Sequence, residues 1–245
     1  MKKFIMEWVS APIVIGLSIL IATVIFSIAF YSSRVTDNYI SVTGSAAKEV
    51  VSDSAKFTGN FSRIVKLYNL KAGYEQMAQD LASVKNFLKA QNIDDKDMTI
   101  STISMEQNYD YNSNGVPASE KDYTLRQTVE VRSMDVDKIT NLAKATQTLI
   151  NGGVIFTVNP VEYYYTKLPE MRVNLLSDAV KDAQARAGKL AESTGKTLGA
   201  LKSAASGVVQ VLPANSLEIS DYGTYDTSSI KKNIMVTVKA SFNLK

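Results

Sequence analysis

The sequence predicts an α+β protein: one membrane-length apolar helix, then a domain of antiparallel or mixed sheets with helices packed on them. Three observations lead there. The run APIVIGLSILIATVIFSIAFY, Ala11 to Tyr31, carries no charge, and a helix needs roughly 20 apolar residues to cross a bilayer. Several later stretches alternate apolar and polar residues with a period of two, as half-buried strands do. The stretch LPEMRVNLLSDAVKDAQARAGKLAESTGKTLG, Leu168 to Gly199, reads as one long amphipathic helix with a marked start and stop.

Taken in order, the chain opens on a short head, residues 1–10, with Lys2 and Lys3. The anchor, residues 11–31, follows. Trp8 and Tyr31 bracket it as interfacial aromatics would. Lysines before it and a large polar region after it predict a single pass, N-in and C-out, through the cytoplasmic membrane. The rival reading is a secretory signal cleaved at the small residues Ser27 and Ala29. The apolar run exceeds the 7–15 residues usual for such a signal, which favours an uncleaved anchor.

Residues 32–39 read as a polar tether, and the folded domain is expected over 40–245. Ile40 to Gly44 begins it as a brief strand. Val50 to Val65 reads as one longer strand, with Ala55, Phe57, Gly59 and Phe61 on one face. Tyr74, Met77, Leu81, Val84 and Leu88 fall at helical spacing, and the helix stops near Asn92, a residue tolerant of left-handed geometry. Met98 to Tyr109 reads as a strand. Asp110 to Asp122 holds Asn, Gly, Pro and Ser and reads as a hairpin loop. Tyr123, Leu125, Gln127, Val129 and Val131 share a face of the return strand. A second helix carries Val136, Ile139, Leu142, Ala143, Thr146 and Leu149, and Asn151-Gly152-Gly153 ends it.

Val154 to Thr166 reads as a strand ending in three tyrosines. In the long helix Pro169 suits the first turn. Leu176, Val180, Ala183, Ala187, Leu190 and Thr194 form the inward stripe. Asp178, Lys181, Asp182, Arg186, Lys189 and Glu192 lie opposite, and Gly195 is the left-handed cap. Ala200 to Leu212 is a strand, Pro213 to Ser229 a polar loop, and Ile230 to Leu244 a closing strand with Ile234, Val236, Val238, Ala240 and Phe242 on one face. Two strand–helix–strand units, about 54–108 and 123–165, have similar lengths and suggest a structural repeat. Long loops in a compact domain are often functional, which singles out 110–122 and 213–229.

Composition excludes several classes of chemistry. The chain has neither cysteine nor histidine. Disulfides, thiol catalysis, a Ser-His-Asp triad and histidine or cysteine metal sites are therefore ruled out. A formal net charge of +3 is too small to imply a nucleic-acid partner.

The chain also resembles a known family. Ile40-Ser-Val-Thr-Gly44 followed by Asp53 resembles the opening strand pair of the SIMPL (DUF541) domain. Leu88 to Ile93, then Asp97 to Ile103, resembles that family's helix end, turn and next strand. Asp178-Ala179-Val180, Ala183, Ala187, Leu190-Ala191, Gly195 and Leu198-Gly199 resemble its alanine-spaced helix running into a strand. The likeness covers about residues 39–245 and carries no catalytic motif. It implies a bacterial envelope or periplasmic protein, a link to oxidative-stress defence, and assembly into a homo-oligomer, since some members form rings. Asn92 stands where glycine is common in the family, and the anchor departs from a freely diffusing periplasmic form.

Four motifs invite a functional reading, and each has a plainer one. Gly195-Lys196-Thr197 lacks the glycine five residues earlier that a phosphate loop needs, and it sits at a helix end whose dipole repels phosphate. Asp110, Asn112, Asn114 and Gly115 match the start of a calcium loop, but position 12 is Lys121 rather than Glu. Tyr163, Tyr164 and Tyr165, with Tyr109, Tyr111 and Tyr123, offer an aromatic surface or ordinary strand packing, and alternation sends Tyr164 to the face opposite its neighbours. Asp94-Asp95 and Asp135/Asp137 read as turns or caps. The expectation is accordingly no catalytic, cofactor-binding or metal-binding residue, and a non-enzymatic envelope protein acting in assembly or interaction. A small-ligand sensor with a closed, aromatic-walled pocket near the long loops is one alternative. A hydrolase or oxidoreductase built from Asp, Glu, Lys or Tyr is the other.

Overall fold

The computed structural model describes residues 2–35, 38–216 and 222–245. Helix α1, Lys2–Val35, contains the apolar run; from Ile13 to Tyr31 it is long and apolar enough to cross a membrane, and 0% of it is buried. The tether is shorter than expected, because the helix continues four residues past Tyr31 and strand β1 already begins at Tyr39. Its residues 36–37 lie outside the described residues, as do 217–221 of the second long loop.

The rest of the chain divides into two compact units. The larger comprises 46–175 and 208–236. Its sheet is built from β2 (Ser54–Val65), β3 (Met98–Ile100), β4 (Ser104–Tyr111), β5 (Pro117–Ser133), β6 (Phe156–Val158) and β7 (Glu162–Tyr164). The order is β3-β5-β2-β6, with β4 also on β5 and β7 on β2, and these pairs are antiparallel. Helix α2 (Leu70–Ala90) connects β2 to β3, and α3 (Val136–Ala145) with α4 (Gln147–Asn151) connects β5 to β6. This is the split β-α-β arrangement, each half placing its second strand beyond the first strand of the other. The two strand–helix–strand units thus interleave in one sheet.

The alternation of β2 and β5 is what makes the core. Ala55, Phe57 and Phe61 face inward with Leu125, Val129 and Val131. They meet Met77, Val84, Phe87 and Leu88 of α2, and Ile139, Leu142 and Leu149 of α3 and α4. Tyr74 is 41% exposed rather than inward. Its neighbour Gly73 takes the contact, against Val65 and Leu125. The helix ends as expected: Asn92 takes φ 59°.

Four expected elements are broken. The 50–65 strand divides at Ser52-Asp53, where β1 (Tyr39–Val51) ends. Asp53 turns its carboxylate onto the backbone N–H and hydroxyl of Thr166, at 2.7 and 2.9 Å. The 98–109 strand breaks at 101–103, and its second half runs on to Tyr111. The 154–166 strand divides at Asn159-Pro160-Val161, since proline has no N–H for the ladder. The second helix breaks at Thr146, whose hydroxyl donates back to the Ala143 carbonyl. The 110–122 loop shrinks to 112–116, because Asp110 and Tyr111 still pair with Ser119 and Pro117.

The smaller unit comprises residues up to Ser45, 176–207 and 237–245. Beyond α1 it contains the start of β1, most of α5 (Leu168–Ser193), the first part of β8 (Leu198–Pro213) and the end of β9 (Lys231–Leu244). The sheet order is β1-β9-β8. The closing strand is therefore an inner strand, paired on both sides. Its alternation holds: Ile234, Val236, Val238, Ala240 and Phe242 are buried.

The long helix is rotated from the expected face. Ala179, Ala183, Ala187 and Ala191 are buried, whereas Leu190 is 49% exposed and Leu176 and Val180 are half-buried. The reason is close approach. A Cβ on Gly44 of β1 would sit 2.2 Å from the Ala179 carbonyl and 2.4 Å from the Ala183 nitrogen, so only alanine fits on the helix side. Asp182 is drawn inward to accept the Ser45 N–H at 2.8 Å. Gly195 caps the helix at φ 74°, with the Lys196 N–H returning to the Ala191 carbonyl. Replacing Ala187 by leucine is expected to overpack this face and cost about 1–3 kcal/mol, while Lys189→Ala costs under ~0.5. Thermal melts of the detergent-solubilised chain check both, and equal harmlessness would mean the face is misassigned.

Candidate functional site

The residues that gather most chemistry lie in the larger unit, on the β2–β5–β7 surface and the segment 225–232. In β2, Lys56 pairs in register with Arg132 of β5 on one side and Glu162 of β7 on the other. Lys56 and Glu162 form an ion pair. The Tyr164 hydroxyl donates to Glu162 at 2.8 Å, and Lys56 stands 6.0 Å from the Tyr164 ring centroid. Arg132 reaches Glu130 at 2.7 Å. Tyr225 adds a second ring, 6.3 Å from Tyr164 between centroids.

The electrostatics favour one protonation state for each of Lys56, Glu162 and Tyr164. The bond to Glu162 holds the Lys56 ammonium above its ordinary range. The same bond, then that from Tyr164, keeps Glu162 below the usual carboxylate range against the opposing effect of burial. Burial, and then the bond to Glu162, raises the Tyr164 hydroxyl. An acid–base catalyst works best with a pKa near the operating pH. Here lysine and glutamate are fixed charged and tyrosine is fixed protonated, an arrangement suited to binding.

Next to Tyr225 lies a buried ion pair. Lys232 is 0% exposed and bonds the Asp226 carbonyl at 2.6 Å and its carboxylate at 3.2 Å. Asp226 also accepts from the backbone N–H and hydroxyl of Ser228, at 2.9 and 2.6 Å, and from those of Ser229. Burial pushes the Asp226 carboxyl up, but the two serines and Lys232 together outweigh it and hold the group far below the usual range. Burial lowers Lys232 despite its partner. A second pair, Arg63 with Asp80, is bidentate at 2.7 Å, and Arg63 also reaches the Gly153 carbonyl at 2.9 Å.

The motifs singled out in the sequence fall mostly outside this cluster. Tyr163 is buried in the core with its hydroxyl 3.1 Å from that of Thr140, while Tyr164 points to the opposite face, as alternation requires. Tyr109 and Tyr111 are exposed on the β4–β5 hairpin. In the calcium-like segment Asn112 accepts from the Asn114 and Val116 N–H groups, and Lys121 pairs with Asp110 at 3.4 Å, closing a hairpin. Asp135 caps α3 through the Lys138 N–H, and Asp94 and Asp95 pair with exposed lysines. A cleft of about 310 Å³ opens beside Ser83, Phe87, Gln91, Leu149 and Val154. Its lining residues come from α2, α4 and 152–154, with none from the long loops.

Fold and site together define an α+β domain carrying charged and aromatic clusters, preceded by a membrane-length helix. The family model SIMPL, described as a protein of unknown function (DUF541), matches residues 40–242. The chain belongs to this family. No curated protein matches it.

Proposed function

We propose that this chain is anchored by α1 in the cytoplasmic membrane, with its SIMPL domain outside the cytoplasm, and that it acts by binding or assembling envelope components. The observation that carries the reading is the helix Ile13–Tyr31, apolar and wholly unburied ahead of the domain. The Lys56–Glu162–Tyr164 cluster supports binding over catalysis, because its groups are held in fixed protonation states. A part in oxidative-stress defence, which the resemblance implies, would be indirect in this reading: the chain has no cysteine thiol to oxidise and no histidine to hold a redox metal.

Membrane fractionation tests the anchor. The chain is expected in the carbonate-resistant membrane fraction with its first 30 residues intact. Leu20→Arg, at the middle of the apolar run, should cost about 2.5–3.5 kcal/mol of insertion and shift the chain out of that fraction. A soluble chain beginning near Phe30 would refute the anchor.

A further inference from the structure

We propose that the free edge of β6, with the two apolar cavities beside it, is a docking site for an extended, uncharged segment of another protein that carries bulky apolar side chains at every second position. The inference rests on the binding reading above and adds to it a surface and the chemistry of the partner.

Strand register opens this edge. β6 pairs antiparallel with β2, Asn60 opposite Thr157. The Ser62 N–H donates to the Ile155 carbonyl at 3.2 Å, and the Asn159 N–H to the Thr58 carbonyl at 2.9 Å. In an antiparallel ladder, residues bonded to the neighbour alternate with residues whose groups point the other way. The N–H and C=O groups of Phe156 and Val158 therefore face away from β2. Among the described residues no strand lies beyond β6 in the sheet, and these groups have no hydrogen-bond partner. The same side of the sheet continues as β7, and there the edge is taken, because the Tyr163 N–H donates to the Thr227 carbonyl at 2.8 Å.

Little in the sequence blocks pairing at β6. Natural sheets protect their edges with charges, prolines, bulges or short strands. Residues 154–158, Val-Ile-Phe-Thr-Val, carry no charge and no proline, and the β2–β6 register runs without a bulge. Shortness alone is left, since β6 has three residues. A short edge takes a short segment, which favours a peptide-like stretch over a whole sheet.

The cavities supply selectivity for side chains. One of about 250 Å³ lies against Ile150, Gly153, Val154, Ile155 and Phe156. The cleft of about 310 Å³ between α2 and α4 shares Val154 with it. Pockets that enclose a whole small-molecule ligand run from about 300 to 1,000 Å³, so these two are sized for single side chains. An added strand turns alternate side chains to one face, where pockets read every second residue. Ile150 and Ile155, 57% and 56% exposed, give the segment apolar flanks. A second copy of this chain fits worse. Its own β6 would arrive with Val154 and Phe156 buried at 3% and 7% in its core, leaving neither side chain for the cavities.

The probe is the fluorescently labelled peptide acetyl-KLTLTLK-amide, read by its anisotropy with the full chain in phosphatidylcholine nanodiscs against empty nanodiscs. Saturable binding at micromolar concentration is expected. In antiparallel pairing the peptide residues opposite Phe156 and Val158 turn their main-chain groups to β6 and their side chains to the cavities. N-methylation at the leucines should therefore weaken binding at least tenfold, whereas N-methylation at the threonines should do little. Val158→Pro removes one outward donor and spares the β2 ladder, so it should weaken binding about fivefold. Should that variant melt early, the N-methylated pair carries the test alone, since it leaves the protein untouched. No saturable binding, or equal affinity for the two N-methylated peptides, would overturn the edge. Disulfide dimers of Ile155→Cys that excess peptide fails to prevent would assign the edge to a second copy and overturn it too. Membrane fractionation is read separately, so the edge can fall while the anchor stands.

Discussion

Replacing Asp226 by alanine is expected to destabilise the domain by about 3–5 kcal/mol, the largest single effect among the polar residues. The variant strands the Lys232 ammonium, fully buried, with only the main-chain carbonyl at position 226 as a partner. It also removes the acceptor for two serine hydroxyls and two N–H groups. Denaturant titration of the detergent-solubilised chain reads the loss. Lys232→Met in the Asp226→Ala background should recover part of it, because the buried charge is then gone. The pH dependence has a definite sign. The Asp226 carboxyl is held below its ordinary range, so its contribution is complete above that range and is lost as pH falls through and below it. Wild type should therefore lose stability on acidification more steeply than Asp226→Asn. Parallel acid profiles for the two would show that the ion pair is not formed.

Gly44→Ala is expected to cost about 3 kcal/mol, the upper part of the range for overpacking. The added methyl would meet the Ala179 carbonyl and the Ala183 nitrogen inside 2.5 Å. Both are helix backbone atoms and cannot rotate aside, so α5 must lift from β1. At roughly 2–4 °C per kcal/mol for a chain of this size, the melting temperature should drop by about 6–12 °C. A melt unchanged within a degree would mean that α5 does not lie against β1.

These two positions show where sequence reading succeeds and where it stops. The strands β2, β5 and β9 were legible, because one buried face imposes strict alternation on Phe57 and Phe61, on Leu125 to Val131, and on Ile234 to Phe242. The face of α5 was not. Leucines at 176 and 190 outweigh alanines in any count of apolarity, yet the approach at Gly44 admits only alanine, and that approach is a tertiary fact. The strand break at Ser52-Asp53 and the helix break at Thr146 depend on side-chain bonds to distant or local backbone groups, which leave no periodic trace. Pro160 was a readable stop that the apolar run on either side of it masked.

The cluster of Lys56, Arg132, Glu162 and Tyr164 exists only through strand register, pairing residues about a hundred positions apart. No local pattern announces it. The Asp226–Lys232 pair did leave a signal. Asp226, Ser228 and Ser229 are the residues of a side-chain-bonded turn, and Lys232 sits in phase with the buried Ile234 and Val236. A lysine on the inward phase of a strand needs a partner, and the nearest carboxylate before it is Asp226.

The placing of β9 between β1 and β8 has a consequence for biogenesis. The Ser241 hydroxyl meets that of Ser41 at 3.3 Å across 200 positions of chain, so β1 acquires its neighbour only when the far end of the polypeptide arrives. A chain emerging N-terminus first presents β1, just after α1, long before β9 exists. Closing so long a loop is slow and entropically unfavourable. During that interval β1 is an unpaired strand, and wrong strand pairing between nascent chains is the competing outcome. Completion of this sheet is therefore the last step of folding, set by the arrival of the final strand.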